Sequence, residues 1–203
     1  MSTASRFHGV TVALVDTGAR TIALPSTSII GLCDTFTVSP AASAKPNDLV
    51  LLTSEREAIA AFGEDSAITR AAKAVFIRAK AVIVACGVAR LEDPALQTSA
   101  IIGGVLASGQ RTGLQALLDG KSRFNAQPRL LIAPQHSATQ AVATAMDALA
   151  GKLRAIAIVD GPNTTDEAAL AYAKEFGSKR VFMVDPGVQQ WDTITSATID
   201  SPA

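Results

Sequence analysis

Apolar positions along the chain fall into two periods. Short apolar runs bounded by turn residues predict buried strands at Ser28 to Phe36, Leu49-Val50-Leu51-Leu52, Ala81 to Cys86, Leu130-Leu131-Ile132-Ala133, Ile156-Ala157-Ile158-Val159 and Val181-Phe182-Met183-Val184. Between them, helical spacing places Ile68, Ala72, Val75 and Ala79 on one face over 66–79, and Val142, Ala145, Met146, Leu149 and Leu153 on another. Capping boxes, a hydroxyl residue followed three positions later by Glu or Gln, predict helix starts at Ser54-Glu55-Arg56-Glu57, Ser137-Ala138-Thr139-Gln140 and Thr164-Thr165-Asp166-Glu167. The first helix is predicted to stop at Gly63, and the last to end at Phe176 with Gly177 beyond it. Residues 95–119 read as two helical pieces separated by Ser108-Gly109, with Gly103-Gly104 inside the helical pattern. Strands that alternate with helices over short connections need crossovers. The expected fold class is therefore α/β, a mostly parallel sheet with flanking helices.

The first 26 residues do not follow this pattern. Val10, Val12 and Leu14 alternate with Thr11 and Ala13, Asp16-Thr17-Gly18 turns, and Thr21-Ile22-Ala23-Leu24 is closed by Pro25. Two such short pieces have little capacity to bury both faces alone, which predicts an extended N-terminal arm over 1–26. The α/β body is expected over 27–193, divisible into 27–110 and 111–193, and residues 194–203 carry no hydrophobic pattern and read as an unstructured tail.

Composition narrows the function classes. The 203 residues are 48% hydrophobic and 18% charged, which argues against intrinsic disorder. Eighteen Lys and Arg balance eighteen Asp and Glu, so the chain lacks the basic field of a general nucleic-acid binder, and one Tyr with one Trp leaves little for base stacking. Neutrality also removes the self-repulsion that keeps copies apart, so self-association is expected. Cys33 and Cys86 sit in apolar runs without a Cys-x-x-Cys pair and read as small buried hydrophobes in a reducing compartment. Met1 to Arg6 is not followed by the apolar stretch of a signal peptide, and no apolar run approaches the ~18 residues of a membrane span.

The candidate chemistry is sparse. Asp160 and Asp185 each end an apolar strand, where doubly wound sheets collect ligands, and two carboxylates there could hold a metal or work as acid and base. Both also begin turn sequences, Asp160-Gly161-Pro162-Asn163 and Asp185-Pro186-Gly187, in which Asp caps its own backbone. The structural reading is the better one. His8 and His136 stand apart with no metal-ligand spacing, His136-Ser137 lacks a nucleophile elbow, and no phosphate-cradling loop follows a strand. No cofactor or metal site is expected. Between Ser66 and Arg90 the charges are all basic, and Arg70, Lys73, Arg78 and Lys80 form a solvated face or a patch that meets an acidic neighbour.

Five stretches carry a resemblance: Phe7-His8-Gly9-Val10-Thr11-Val12, Arg20 to Phe36, Arg111 to Pro134, Lys152 to Ala168, and Ser178 to Thr193. In this order they resemble the N-terminal half of contractile tail sheath proteins of phages and R-type pyocins. The resemblance implies a structural role without catalysis. Subunits stack as rings around a tail tube above a baseplate and contract, driving the tube through a cell envelope. It also implies assembly in the host bacterial cytoplasm, then residence in a virion tail or pyocin particle. In such sheaths terminal arms donate strands to neighbouring subunits, a role carried here to Phe7, His8, Val10, Val12, Leu14, Ile22 and Leu24. Family members continue beyond Trp191-Asp192-Thr193, so the resemblance implies a truncated sheath chain. An α/β enzyme or small-ligand binder using Asp160 and Asp185 is the alternative.

Overall fold

The structure, a computed structural model, describes residues 29–40, 42–192 and 197–201, with 188–192 and 197–201 as backbone. Its centre is a six-stranded sheet of β1 (Ile29–Phe36), β2 (Leu49–Leu52), β3 (Val82–Ala89), β4 (Leu130–Ile132), β5 (Ile156–Asp160) and β6 (Val181–Val184), in the order β2-β3-β1-β4-β5-β6. All neighbours are parallel except β2, which runs antiparallel to β3 with Leu49 opposite Cys86 and Leu52 opposite Ile83. The α/β class with a mostly parallel sheet is therefore correct. The β1–β4 pairing also joins the 27–110 and 111–193 segments in one sheet.

Helices fill the crossovers: α1 (Glu55–Phe62), α2 (Ala67–Arg78), α3 (Pro94–Ile102), α4 (Gly113–Ala116), α5 (Gly120–Phe124), α6 (Gln140–Leu153) and α7 (Asp166–Lys174). Strand alternation divides the core in two. Val84, Cys86, Leu131, Ala157 and Val159 face Ile101 of α3, Leu114 of α4 and Val142, Met146 and Leu149 of α6. Leu32, Phe36, Ile83 and Ala85 face Ala58 and Phe62 of α1 and Ile68 and Ala72 of α2. The stripe predicted over 66–79 thus packs through Ile68 and Ala72, while Ala79 is exposed in extended backbone.

Three expectations need correction. Gly103 does not continue a helix: with φ of +67° it ends α3, and a Cβ there would lie 1.9 Å from the Thr112 carbonyl oxygen. The capping boxes at Ser54 and Ser137 are not closed by their hydroxyls. Glu57 instead accepts the Thr53 amide at 2.6 Å, and α6 starts after Thr139 without a side-chain cap. The third box caps one residue later than expected, with Thr165 in place of Thr164 accepting the Ala168 amide at 3.3 Å. Finally, Ala197–Ser201, expected to be unstructured, pairs antiparallel with Val188–Asp192. Main-chain pairing needs no apolar periodicity, so the pattern carried no trace of it.

Candidate functional site

The connections after β1 and β4 leave the sheet on opposite sides, because β1 leads through β2 into α1 and α2 on one face and β4 into α6 on the other. Such a switch point opens a crevice at the carboxyl ends of the two strands. A cleft of about 450 Å³ lies there, with Thr35 near the end of β1 and Thr37 beyond it, Gln135 and His136 beyond β4, and Arg70 and Arg90 on its walls. Beneath it Asp34 is 1% exposed. Its Oδ1 accepts the Thr35 amide at 2.6 Å and lies 3.4 Å from His136 Nε2, whereas Oδ2 accepts no hydrogen bond among the described residues.

An Asp beside a His is the orienter–base half of a hydrolytic triad. Among the described residues no hydroxyl or thiol is hydrogen-bonded to His136, and Ser137 is turned to Asp160. The pair joins the end of β1 to the β4–α6 connection. Asp34 escaped the sequence reading, although a carboxylate inside the apolar run Ile29–Phe36 is the kind of anomaly that flags such a pair.

Asp160 and Asp185 are bonded to different partners. Ser137 Oγ donates to Asp160 Oδ2 at 2.5 Å and accepts the Asp160 amide at 3.2 Å, tying β5 to the start of α6. Asp185 Oδ1 accepts the Asn163 amide at 2.8 Å, and Asn163 Oδ1 accepts the Gly187 amide at 3.1 Å, so the turns after β5 and β6 are laced together. Both side chains thus bond across loops. The charge of Asp160 has one further effect: burial first, and this carboxylate second, push the Tyr172 phenol above its usual range. No cluster of three or more His, Cys, Asp or Glu able to hold a metal occurs among the described residues.

Lys73 Nζ lies 3.3 Å from Glu55 and 3.8 Å from Glu64, acids supplied by α1 and its C-terminal turn, which a linear scan of 66–90 could not reveal. Arg70, Arg78 and Lys80 are exposed. The arm residues Phe7, His8, Val10, Val12, Leu14, Ile22 and Leu24 lie outside the described residues. What an arm could join is present, because β2 and β6 are the outer strands of the sheet and each has one edge without a neighbour among the described residues.

Residues 109–200 match the phage tail sheath protein central domain. The chain is 70% identical over 199 residues to a prophage major tail sheath protein of Pseudomonas aeruginosa (strain UCBPP-PA14), a match that covers 98% of this chain and 52% of that protein. It is 33% identical over 202 residues to the tail sheath protein of Escherichia phage P2, covering 94% of this chain and 50% of that one. Among solved structures, a chain of the anti-feeding prophage (AFP) baseplate in the contracted state superposes with a TM-score of 0.61 at 14% identity, over 93% of this chain and 51% of the other, a likeness of fold. The chain spans about half the length of the curated relatives it matches.

Proposed function

We propose that the chain, 70% identical over 98% of its own length to a prophage major tail sheath protein of which it spans about half, is a phage tail sheath protein and serves as a structural subunit of a contractile tail. It acts by assembly and not by catalysis. Its partners are further sheath subunits, a tail tube and a baseplate, met first in the host cytoplasm and then in the finished particle. The observation that carries this reading is the 70% identity to a prophage major tail sheath protein over nearly the whole chain. The site chemistry agrees with it, since Asp160 and Asp185 are engaged by separate loop partners.

In this reading residues 1–26 are the arm and 27–193 the rigid body. The segment Phe7 to Leu24 adds as a strand to an outer edge of a neighbour's sheet, where unpaired amides and carbonyls provide affinity without demanding a particular side-chain sequence. Head-to-tail addition of this kind does not close on itself and so builds rings or helices. Deleting residues 1–24 is expected to abolish rings and tubes in electron micrographs while the circular dichroism and melting of the body stay unchanged. A deletion variant that assembles like the parent overturns the arm.

A further inference from the structure

Assembly gives no task to the cleft at the ends of β1 and β4. Its walls carry charges of both signs: Asp65 and Arg70 flank the first turn of α2, and Arg90 and Glu92 lie on the connection from β3 to α3. All four are exposed, and among the described residues none of these side chains forms an ion pair or a hydrogen bond. Lys73, on the same helix as Arg70, is by contrast held by Glu55 and Glu64. Thr37 and Gln135 add exposed neutral donors and acceptors. Beneath the cleft, Asp34 Oδ2 and His136 Nε2 are buried without a hydrogen bond, two of the three side-chain atoms in that state among the described residues. Buried polar atoms are seldom left so, and two of them under one cleft mark a place for a further hydrogen-bonding group.

We propose that the cleft binds a sugar that carries an oxyanion, either a phosphate or a carboxylate. Arg70 and Arg90 take the oxyanion, because a guanidinium that no acid occupies donates charge-assisted, two-pronged hydrogen bonds to such a group. Asp65 and Glu92 accept from the hydroxyls of the ring, and Thr37 and Gln135 bond those that the carboxylates do not reach. A mixed lining of this kind suits a ligand that is both acid and polyol better than a bare anion, which would meet the two carboxylates as repulsion. The volume of about 450 Å³ agrees, since it lies within the range of small-molecule pockets, about 300–1,000 Å³, and exceeds what a single phosphate fills. Leu91 and Pro94 give the carbon face of the ring an apolar edge. A nucleotide is less suited, because Phe36, the aromatic of this lining, is 1% exposed and offers no face on which a base could stack. The site uses neither the arm nor the sheet edges, so it stands or falls apart from assembly.

Isothermal titration calorimetry on the 203-residue chain tests this with glucose 6-phosphate and glucuronate as probes. Binding of either supports the site, and the tighter of the two identifies the oxyanion. Glucose, which lacks the charge, and inorganic phosphate, which lacks the hydroxyls, should each bind roughly tenfold more weakly or worse. Replacing both Arg70 and Arg90 by Gln should weaken the acidic sugars by roughly tenfold or more and leave the melting temperature unchanged, since neither guanidinium bonds within the described fold. Replacing both Asp65 and Glu92 by Ala should also weaken them, although it removes negative charge; a bare anion site would gain affinity instead. As a control for net charge, replacing both Arg78 and Lys80 by Gln should change affinity by less than about twofold at roughly 0.15 M salt. The proposal is overturned if neither acidic sugar binds or if inorganic phosphate binds as tightly as they do. It is equally overturned if the zwitterion glycylglycine binds tighter, if the Asp65 and Glu92 variant gains affinity, or if the control variant loses as much as the Arg70 and Arg90 one.

Discussion

Cys33 and Cys86 sit opposite each other in the β1–β3 register, both free and fully buried. A hydrogen bond with Cys86, then burial, push the Cys33 thiol well above its ordinary range, so its nucleophilic thiolate is suppressed. Ellman's reagent is expected to find no thiol in the native chain and two after denaturation; rapid labelling of the folded protein would contradict this packing. Glu57 is the opposite case, an exposed carboxylate with a structural task. The Thr53 amide, and then the Thr53 hydroxyl, hold its pKa below the ordinary 4.5. A folded value below the unfolded one means that the stabilisation is present above about pH 4.5 and fades as pH falls through the lowered value. Glu57→Gln should cost about 0.5 kcal/mol at neutral pH, discounted for solvent screening, and the urea midpoints of parent and variant should converge in acid. The capping-box spacing in the sequence correctly marked this Glu as one that reaches back. Which amide it reaches depends on the path of the chain before the helix, and spacing does not record that path.

Elements were legible where one period dominated. Six apolar runs became the six strands of the sheet, because a run of four to eight apolar residues bounded by turns satisfies burial best as a strand. Their order and direction were not legible, and nothing in Leu49–Leu52 says that it runs antiparallel on an outer edge. The same holds for Gly87, which interrupts β3 without any turn nearby. A Cβ there would lie 2.5 Å from the Phe62 ring and 2.8 Å from that of Phe36, two rings in edge contact at 5.3 Å. The glycine is thus the slot into which α1 presses its last aromatic. Gly87→Ala is expected to cost about 1–3 kcal/mol by overpacking, and Phe62→Ala about 3–5 kcal/mol by leaving a cavity. In the double variant the new methyl occupies part of that cavity, so urea denaturation should show a loss smaller than the two single losses together. Strict additivity would mean that the slot and the ring do not meet.

At the scale of the whole molecule the α/β class could be read from the alternation of periods, whereas the division of the helices between the two faces could not, since it depends on which side each crossover takes. Charge shows the same limit. The four basic residues of 70–80 look equivalent along the chain, yet Lys73 is held by Glu55 and Glu64 while Arg78 and Lys80 remain exposed. If subunits meet at this face, the alternative to a solvated one, the exposed pair contributes through long-range attraction. The molecule has no net charge to oppose that attraction. Such attraction acts on the encounter rate and is screened within about 10 Å at roughly 0.1 M salt. Replacing both Arg78 and Lys80 by Gln should therefore slow assembly, followed by light scattering, by roughly tenfold at about 0.02 M salt and hardly at all at about 0.5 M. Lys73→Gln should leave the assembly rate alone and cost less than about 1 kcal/mol of stability, because its partners lie within its own chain and are partly exposed. If the double variant assembles at the parent rate at low salt, the basic face is simply solvated and subunits meet elsewhere.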